Sequence, residues 1–381
     1  MVTMKIIVPV NARLPTEKAH GYQIIKTVEA LMEKGADVEL VIPRRQNPIT
    51  ESIRDFYHLR TVPKITTVSN VWFFLEKWWP ALYFPLQRMW FGLVAFWYVL
   101  WSSAEIVFSR EITLCFLLVL CGKKNVIFED HEPKQGWLFL YRYFIKKIPK
   151  KIIVAHHLEA LYQQCGVLKE SYCEIPNAVD VAAFATALRD SGLWHTEFGL
   201  PREKPTVLYV GHFYAWKGVH TLIQAAPLIN ANIVLVGGTD VDQKKIRAYI
   251  QEKNIENILV VPFVPHHTVP RLLASADVLI LPNTSKEERS AHYTTPIKMF
   301  EYMAAGRAIV ASRLPSFAPY LYHEQNAILF TPDDYKALAE AVMRILNDKT
   351  LQEKIAAQAQ REAIQFSWEA RADKILQLVK Q

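Results

Sequence analysis

One local order of elements occurs twice in this chain: strand, polar loop, amphipathic helix, glycine, strand. Residues 5–10 read as a buried strand and residues 11–18 as a polar loop. Tyr22, Ile25, Val28, Leu31 and Met32 then recur at helical spacing, Gly35 ends the helix, and residues 38–42 form the next strand. The order restarts with a strand over 206–210, a turn from Gly211 to Lys217, a helix over 219–228 and a strand over 232–236 running into Gly237-Gly238. Each pass is a βαβ unit, which requires a crossover helix and a parallel sheet. Further strands fit 105–108, 126–128 and 152–155 in the first half, and 258–261, 278–281 and 308–311 in the second. Helices fit 269–275, 296–305 and, with a break, 335–365; residues 183–204 read as a linker between the halves. Two open α/β sheets place ligand crevices at the carboxyl ends of their strands.

At 381 residues the chain is long enough for two cores. Hydrophobic residues are 51% and charged residues 21%, a globular composition. A net charge of +7 suits anionic small molecules or an anionic membrane surface and is too small to argue for nucleic acid. Cys115, Cys121, Cys165 and Cys173 form no CxxC pair and have no histidine at metal spacing; they read as reduced, mostly buried thiols of a cytoplasmic protein. The longest apolar run, residues 89–101, is too short for a spanning helix, which needs about 20 residues.

Residues 71–101 do not fit a plain βαβ pattern. They hold Trp72, Trp78, Trp79, Trp90, Trp97 and Trp101 among many other aromatics. A second aromatic run over 137–144 leads straight into Lys146, Lys147, Lys150 and Lys151. Aromatic bodies beside lysines are what a membrane-surface helix uses. Packing inside the first domain, with the lysines as a solvated face, accounts for the same residues.

Two segments carry chemistry. In Gly211-His212-Phe213-Tyr214-Ala215-Trp216-Lys217-Gly218 a strand ends and a helix follows. Such a turn aims backbone N–H groups and a helix dipole at the crevice, where a phosphate would sit, and Lys217 adds a mobile point charge. In residues 294–306 Pro296 suits the first turn of a helix, and the hydroxyls of Thr294 and Thr295 suit its cap. Glu301 follows about one and a half turns in. A carboxylate there can accept two hydrogen bonds, as the vicinal hydroxyls of a ribose require. A glutamate on a helix is ordinarily a surface residue, but Met299, Phe300, Met303 and Ala304 make its surroundings apolar, so it needs a partner.

With these segments in view, the chain resembles the retaining family 4 (group 1) glycosyltransferases of the GT-B fold. Six motifs appear in family order: residues 14–21 (LPTEKAHG), 128–132 (FEDHE), 175–180 (IPNAVD), 210–218, 295–306 (TPIKMFEYMAAG) with 308–312 (AIVAS), and the Phe366-Ser367-Trp368 opening of a last helix. The resemblance implies two Rossmann-like α/β domains facing each other across a cleft. These are an acceptor-binding domain over 1–185, a nucleotide-sugar-binding domain over 186–365, and a helix over 366–381 returning to the first domain. It implies transfer of a sugar from a nucleoside-diphosphate sugar to an acceptor hydroxyl with retention of configuration, in cell-envelope glycan or glycolipid synthesis. The expected protein is cytoplasmic, and sits at the inner face of the membrane if the aromatic segments bind one. The implied catalytic residues are His131, Lys217 and Glu301. The donor would be held by Gly21, Gly211, His212, Lys217, Phe263, Val264, Tyr293, Thr294, Thr295, Pro296, Ile297 and Glu301, and the acceptor by His20, Arg110 and Glu132. No cofactor or metal is implied.

Three positions depart from the family pattern. Tyr293 stands where an acidic residue is usual, eight before Glu301, which leaves the transferred sugar unspecified. His212 replaces an arginine beside the phosphates, and Ala178 replaces the glycine of the 175–180 turn. These departures keep a second class of reading open, a non-catalytic GT-B-like partner or scaffold. A nucleotide-sugar epimerase or hydrolase is the rival within the fold. An NAD dehydrogenase is disfavoured, since neither half carries G-x-G-x-x-G followed by an acid about 20 residues on.

Overall fold

A computed structural model describes residues 4–70, 78–131 and 138–380. The chain forms two compact units, one of residues 1–176 with 368–381 and one of residues 177–367.

The N-terminal unit holds a seven-stranded sheet in the order β3-β2-β1-β4-β5-β6-β7. Its strands are β1 Lys5–Pro9, β2 Asp37–Pro43, β3 Lys64–Val68, β4 Ile106–Ser109, β5 Val126–Asp130, β6 Lys150–Ile153 and β7 Tyr172–Glu174. The second unit holds six: β8 Thr206–Val210, β9 Asn232–Val236, β10 Ile258–Val261, β11 Val278–Leu281, β12 Ala308–Ser312 and β13 Ile328–Phe330, in the order β10-β9-β8-β11-β12-β13. Adjacent strands pair in parallel throughout, for example Ile7 with Glu39 and Leu208 with Val234. β9 and β11 are buried along their whole length, as expected of strands covered on both faces. Strand order reverses between β1 and β4, and again between β8 and β11. In an open α/β sheet such reversals are where loops diverge at the carboxyl ends and leave room for a ligand.

The repeated βαβ grammar is borne out, with helix Ala19–Glu33 between β1 and β2 and helix Val219–Ala225 between β8 and β9. The expected break in 335–365 falls at Asp348, whose carboxylate caps the second of helices Tyr335–Asn347 and Lys349–Ala363 by accepting from the Leu351 N–H. β3, β7 and β13 lack a clear sequence signal because they are short or, in Lys-Ile-Thr-Thr-Val of β3, carry an edge strand's polar residues.

The segment 183–204 is not a free linker. Leu193 and Trp194 are buried in the core of the second unit, and the Trp194 indole donates to the Ser275 carbonyl at 3.1 Å. Its lack of periodicity misled because two short helices, Val181–Ala185 and Leu193–Thr196, are too brief to show one.

The last helix, Trp368–Lys380, packs on helix Ala19–Glu33 within the N-terminal unit. Trp368 meets the Tyr22 ring edge-on, and Lys34 pairs with Asp373 at 2.7 Å.

Of the aromatic stretch, 71–77 lies outside the described residues, and Pro80–Trp101 is a single helix. Tyr83, Gln87, Phe91, Ala95 and Val99 form its buried side, while Leu82, Met89, Leu93, Trp97 and Trp101 face solvent. Among the described residues no helix is long and apolar enough to cross a membrane. Cys115 and Cys165 are buried, Cys173 is half-buried and Cys121 is exposed, all four as free thiols.

Candidate active site

In the second unit the site forms around the end of β8. Gly211 leaves the strand at φ 144°, and Gly218 starts the next helix at φ 70°. A Cβ at Gly218 would lie 1.8 Å from the Pro282 carbonyl oxygen after β11, so this crossing of two chains admits only glycine. Between the glycines, His212, Tyr214 and Trp216 form a stack of rings, and the Lys217 ammonium lies 3.8 Å from the Trp216 ring centre. Burial, and after it the nearby Arg289 charge, pushes the Lys217 pKa down to about 7.

Helix Ile297–Ala304 is fastened to this strand end by its own Tyr302, whose hydroxyl accepts the Val210 N–H at 2.8 Å. Tyr302 is fully buried, and its pKa is accordingly pushed above the usual tyrosine value. Glu301, next to it, is buried, and its Oε1 receives a hydrogen bond from His266 Nε2 at 2.6 Å. His266 follows Phe263 and Val264 on the loop after β10, so the structure brings that loop to the Glu301 carboxylate.

The expected threonine cap is not present. Pro296 occupies the N-cap position, the helix begins at Ile297 and it has no side-chain cap. Thr294 instead donates to the Arg289 carbonyl at 2.8 Å, at the end of the short π-helical stretch Arg289–Tyr293. The N-cap residue therefore offers the first turn no side-chain acceptor, and the Met299 N–H is met by the Pro296 carbonyl at 3.0 Å; an N-terminus of this kind suits an anion. Asn177 donates to the Thr295 carbonyl and holds the approach to the helix. Tyr293 is half-buried, with its hydroxyl 3.4 Å from Glu288 Oε1.

Sequence reasoning passed over Lys298, although it lies inside the motif. The residue is half-buried, but its Nζ is sealed from solvent and has no hydrogen-bond partner. Burial, and then the Lys217 charge, holds its pKa well below the usual lysine value; Glu301 opposes this in part. His266 was missed because nothing local distinguishes it; only the fold carries it to Glu301, 35 residues away.

In the N-terminal unit a second group forms around Glu129 at the end of β5. Its fully buried carboxylate accepts from Arg110 at 2.6 Å, from His131 Nε2 at 2.7 Å and from Arg371 of the last helix. Burial alone would raise its pKa, but the two guanidinium groups hold it far below the ordinary carboxylate range. Arg371 also donates to the carbonyls of Ile175 and Pro176. Desolvation and Arg110 push the His131 pKa down against the pull of Glu129, so its imidazole is neutral at neutral pH. Asp130 accepts from the buried hydroxyls of Tyr141 and Tyr162, which fixes the strand end that presents His131.

His20 is exposed at the start of helix Ala19–Glu33, and desolvation and the Arg110 charge push its pKa down. Gly21, in the same helix, is accounted for by packing: a Cβ there would lie 2.3 Å from Thr16 Cγ2 and 2.7 Å from the Tyr57 hydroxyl. Glu132 lies outside the described residues. The expected residues therefore fall into two groups: His20, Gly21, Arg110 and His131 in one unit, and 211–212, 217, 263–264, 293–297 and 301 in the other. Glu129 and Arg371 were not expected, though Glu129 sits within the 128–132 motif.

Among the described residues one cluster has the makings of a metal site. The ligand atoms of His156, Glu159 and Glu174 lie within 4.8 Å of one another. The cluster is already internally paired, His156 to Glu174 at 2.8 Å and Glu159 to Lys169.

A family model described as glycosyl transferases group 1 matches residues 190–362. The chain is 31% identical over 279 residues to a phosphatidyl-myo-inositol mannosyltransferase of Mycolicibacterium smegmatis, covering 71% of this chain and 68% of that one. It is 28% identical over 282 residues to the enzyme of that name from Mycobacterium tuberculosis, covering 71% and 70%. Among solved structures, Anabaena HepE in complex with UDP and glucose matches 99% of this chain and 100% of its own, at a TM-score of 0.77 and 16% identity. Sucrose-phosphate synthase from Thermosynechococcus elongatus matches 99% and 98% at a TM-score of 0.74 and 21% identity.

Proposed function

This chain belongs to the group 1 glycosyl transferases and has the GT-B fold, and from that premise we propose that it moves a sugar from a nucleoside-diphosphate sugar to an acceptor hydroxyl with retention of configuration. The observation that carries the reading is the arrangement around Gly211: the half-buried Lys217, the uncapped N-terminus of helix Ile297–Ala304 and the buried Glu301 carboxylate. Glu301 binds the ribose hydroxyls, with His266 giving way to them or sharing the carboxylate. Lys217 and the first-turn N–H groups of Ile297 and Lys298 take the diphosphate, while Phe263 and Val264 frame the base. In the reaction the bond from the anomeric carbon to the diphosphate oxygen breaks, and the acceptor oxygen bonds to that carbon from the same face. The departing diphosphate, its charge met by Lys217 and the helix dipole, takes the acceptor's proton. These groups meet the charge, so the reading assigns no metal or cofactor. We assign neutral His131, oriented by Glu129, to the transferred sugar, and His20, Arg110 and Glu132 to the acceptor. Support for the donor class comes from HepE, solved with UDP and glucose.

The acceptor we assign is lipid-borne, in cell-envelope glycan or glycolipid synthesis. The mycobacterial relatives are named for mannosyl transfer to phosphatidyl-myo-inositol. Here helix Pro80–Trp101 turns Leu82, Met89, Leu93, Trp97 and Trp101 to solvent, with Trp101 82% exposed. Helix Ile112–Leu120 packs beside it and exposes Leu120. Helix Leu138–Lys147 follows, exposing Phe139 and Tyr143 and ending in Lys146 and Lys147. An apolar face bordered by lysines fits an anionic membrane surface.

A thermal-shift screen against UDP-, GDP-, ADP- and TDP-sugars tests the donor reading, followed by NMR of the product anomer with a lipid-extract acceptor. Stabilisation by one donor and an axial or equatorial outcome matching that donor support it. Binding without turnover over a broad acceptor panel would favour the scaffold reading instead. For the membrane face, Trp97→Ser with Trp101→Ser is expected to cut sedimentation with anionic vesicles several-fold at unchanged melting temperature. Equal sedimentation with neutral and anionic vesicles would count against it.

A further inference from the structure

The Lys298 side chain has no part in the donor reading, yet its position is costly. Its Nζ is buried without a hydrogen-bond partner. Its company is the Tyr209 ring, whose centre lies 4.0 Å away. A cation–π contact contributes about 0.5–2 kcal/mol, whereas an ammonium taken from water without an anion costs several. The site holds it beside Gly211, just past the end of β8, where there is no side chain: a Cβ there would stand 3.8 Å from Lys298 Nζ.

The charged and titratable groups around it come from four directions. Glu301 and Tyr302 stand on its own helix, Tyr209 on β8, Lys217 on the turn after β8, and Arg289 on the turn that precedes the helix and presses on Lys217. Three cations thus converge where Glu301 is the acid, and that acid already accepts from His266. What this arrangement lacks is negative charge, and a nucleoside diphosphate supplies it in the amount needed.

We propose that Lys298 is a second cation of the diphosphate subsite, and that filling the subsite drives proton uptake onto the Lys217–Lys298 pair. The proposal rests on the donor reading above and deepens it. In the empty site burial disfavours the ammonium form of both lysines, and each charge adds to the cost of the other. The diphosphate reverses that balance: each neutral amine that faces it takes a proton from solvent and becomes an ammonium paired with phosphate oxygens. The extra cation also answers the sequence departure at His212, where the family pattern has an arginine.

Isothermal titration of the full chain with UDP, GDP, ADP and TDP, and with pyrophosphate, tests this in two buffers of different ionisation enthalpy across pH 7–9. The wild type is expected to take up about one proton per diphosphate bound, with affinity falling up to tenfold per pH unit as pH rises. Lys298→Met should weaken the diphosphate at least tenfold and lower the proton count, yet leave binding of the matching nucleoside without phosphate unchanged. A merely structural role would weaken nucleoside and diphosphate alike. Equal affinity and proton count in wild type and Lys298→Met overturn the proposal and leave the donor reading standing. Failure of every nucleoside diphosphate and of pyrophosphate to bind overturns both. Should Lys298→Met not fold, Lys298→Gln takes its place, and a wild-type proton count of zero is by itself enough to sink the idea.

Discussion

Lys217 shows how one residue's burial sets a pH dependence. Its pKa in the fold, about 7, lies below that of an unfolded lysine, about 10.4. Between those values the unfolded chain carries a proton that the folded chain does not. Its contribution to the stability of the empty protein therefore rises as pH increases from about 7 to about 10.4, and is unfavourable below that window. Lys217→Met is expected to raise the melting temperature of the ligand-free protein at pH 6–7 while lowering turnover about a hundredfold, a loss of roughly 3 kcal/mol of transition-state stabilisation. Thermal melts at pH 6, 7 and 9 beside steady-state assays check both halves; wild-type turnover would remove Lys217 from the site. Glu301 was readable as a special residue from the apolar company around it. His266, its partner, was not, because a hydrogen bond spanning 35 residues leaves no local pattern.

Helix Ile297–Ala304 is an element whose ends matter more than its middle. Its N-terminus is uncapped, and its position on β8 depends on the Tyr302 hydroxyl accepting the Val210 N–H. Tyr302→Phe leaves that buried N–H unsatisfied and should cost about 1–3 kcal/mol, read as a lower urea midpoint, with weaker nucleotide binding because Glu301 and Lys298 ride on the same helix. The last helix has a comparable anchor. Arg371 compensates the buried Glu129 and donates to two carbonyls. Arg371→Met should destabilise by about 3–5 kcal/mol, as breaking a buried ion pair does. Arg110 and His131 would still face Glu129, so recovery of wild-type stability in the double variant Arg371→Met, Glu129→Gln would locate the cost in the uncompensated charge. The sequence pointed to both helices, the first through its apolar pattern and the last through its resemblance to the family, but not to these anchors: a tyrosine on an apolar stripe and an arginine on an amphipathic helix have ordinary readings until their partners are known.

At the scale of the whole chain, one unit is continuous and the other is not. Residues 177–367 are a single run, whereas the N-terminal unit needs residues 368–381 to complete it. Truncation after Ser367 is expected to unfold or aggregate the N-terminal unit, through loss of Trp368, Arg371, Ile375 and Leu378 from its core. Nucleoside-diphosphate binding by residues 177–367 should persist; loss of binding together with the first melting transition would show that the second unit does not hold the nucleotide alone. The amino-acid sequence by itself determined the two parallel sheets, the strand ends on which the candidate site is built, and the helix that carries Glu301, since period, glycine placement and motif order are local properties. Tertiary structure alone decided that residues 183–204 enter a core, that Pro296 takes the N-cap of the 297–304 helix, and that Glu129 is held by an arginine 242 residues away. The reason is physical. Periodicity records which face of an element is buried, but the partner of a buried charge is chosen by packing between elements distant in the chain.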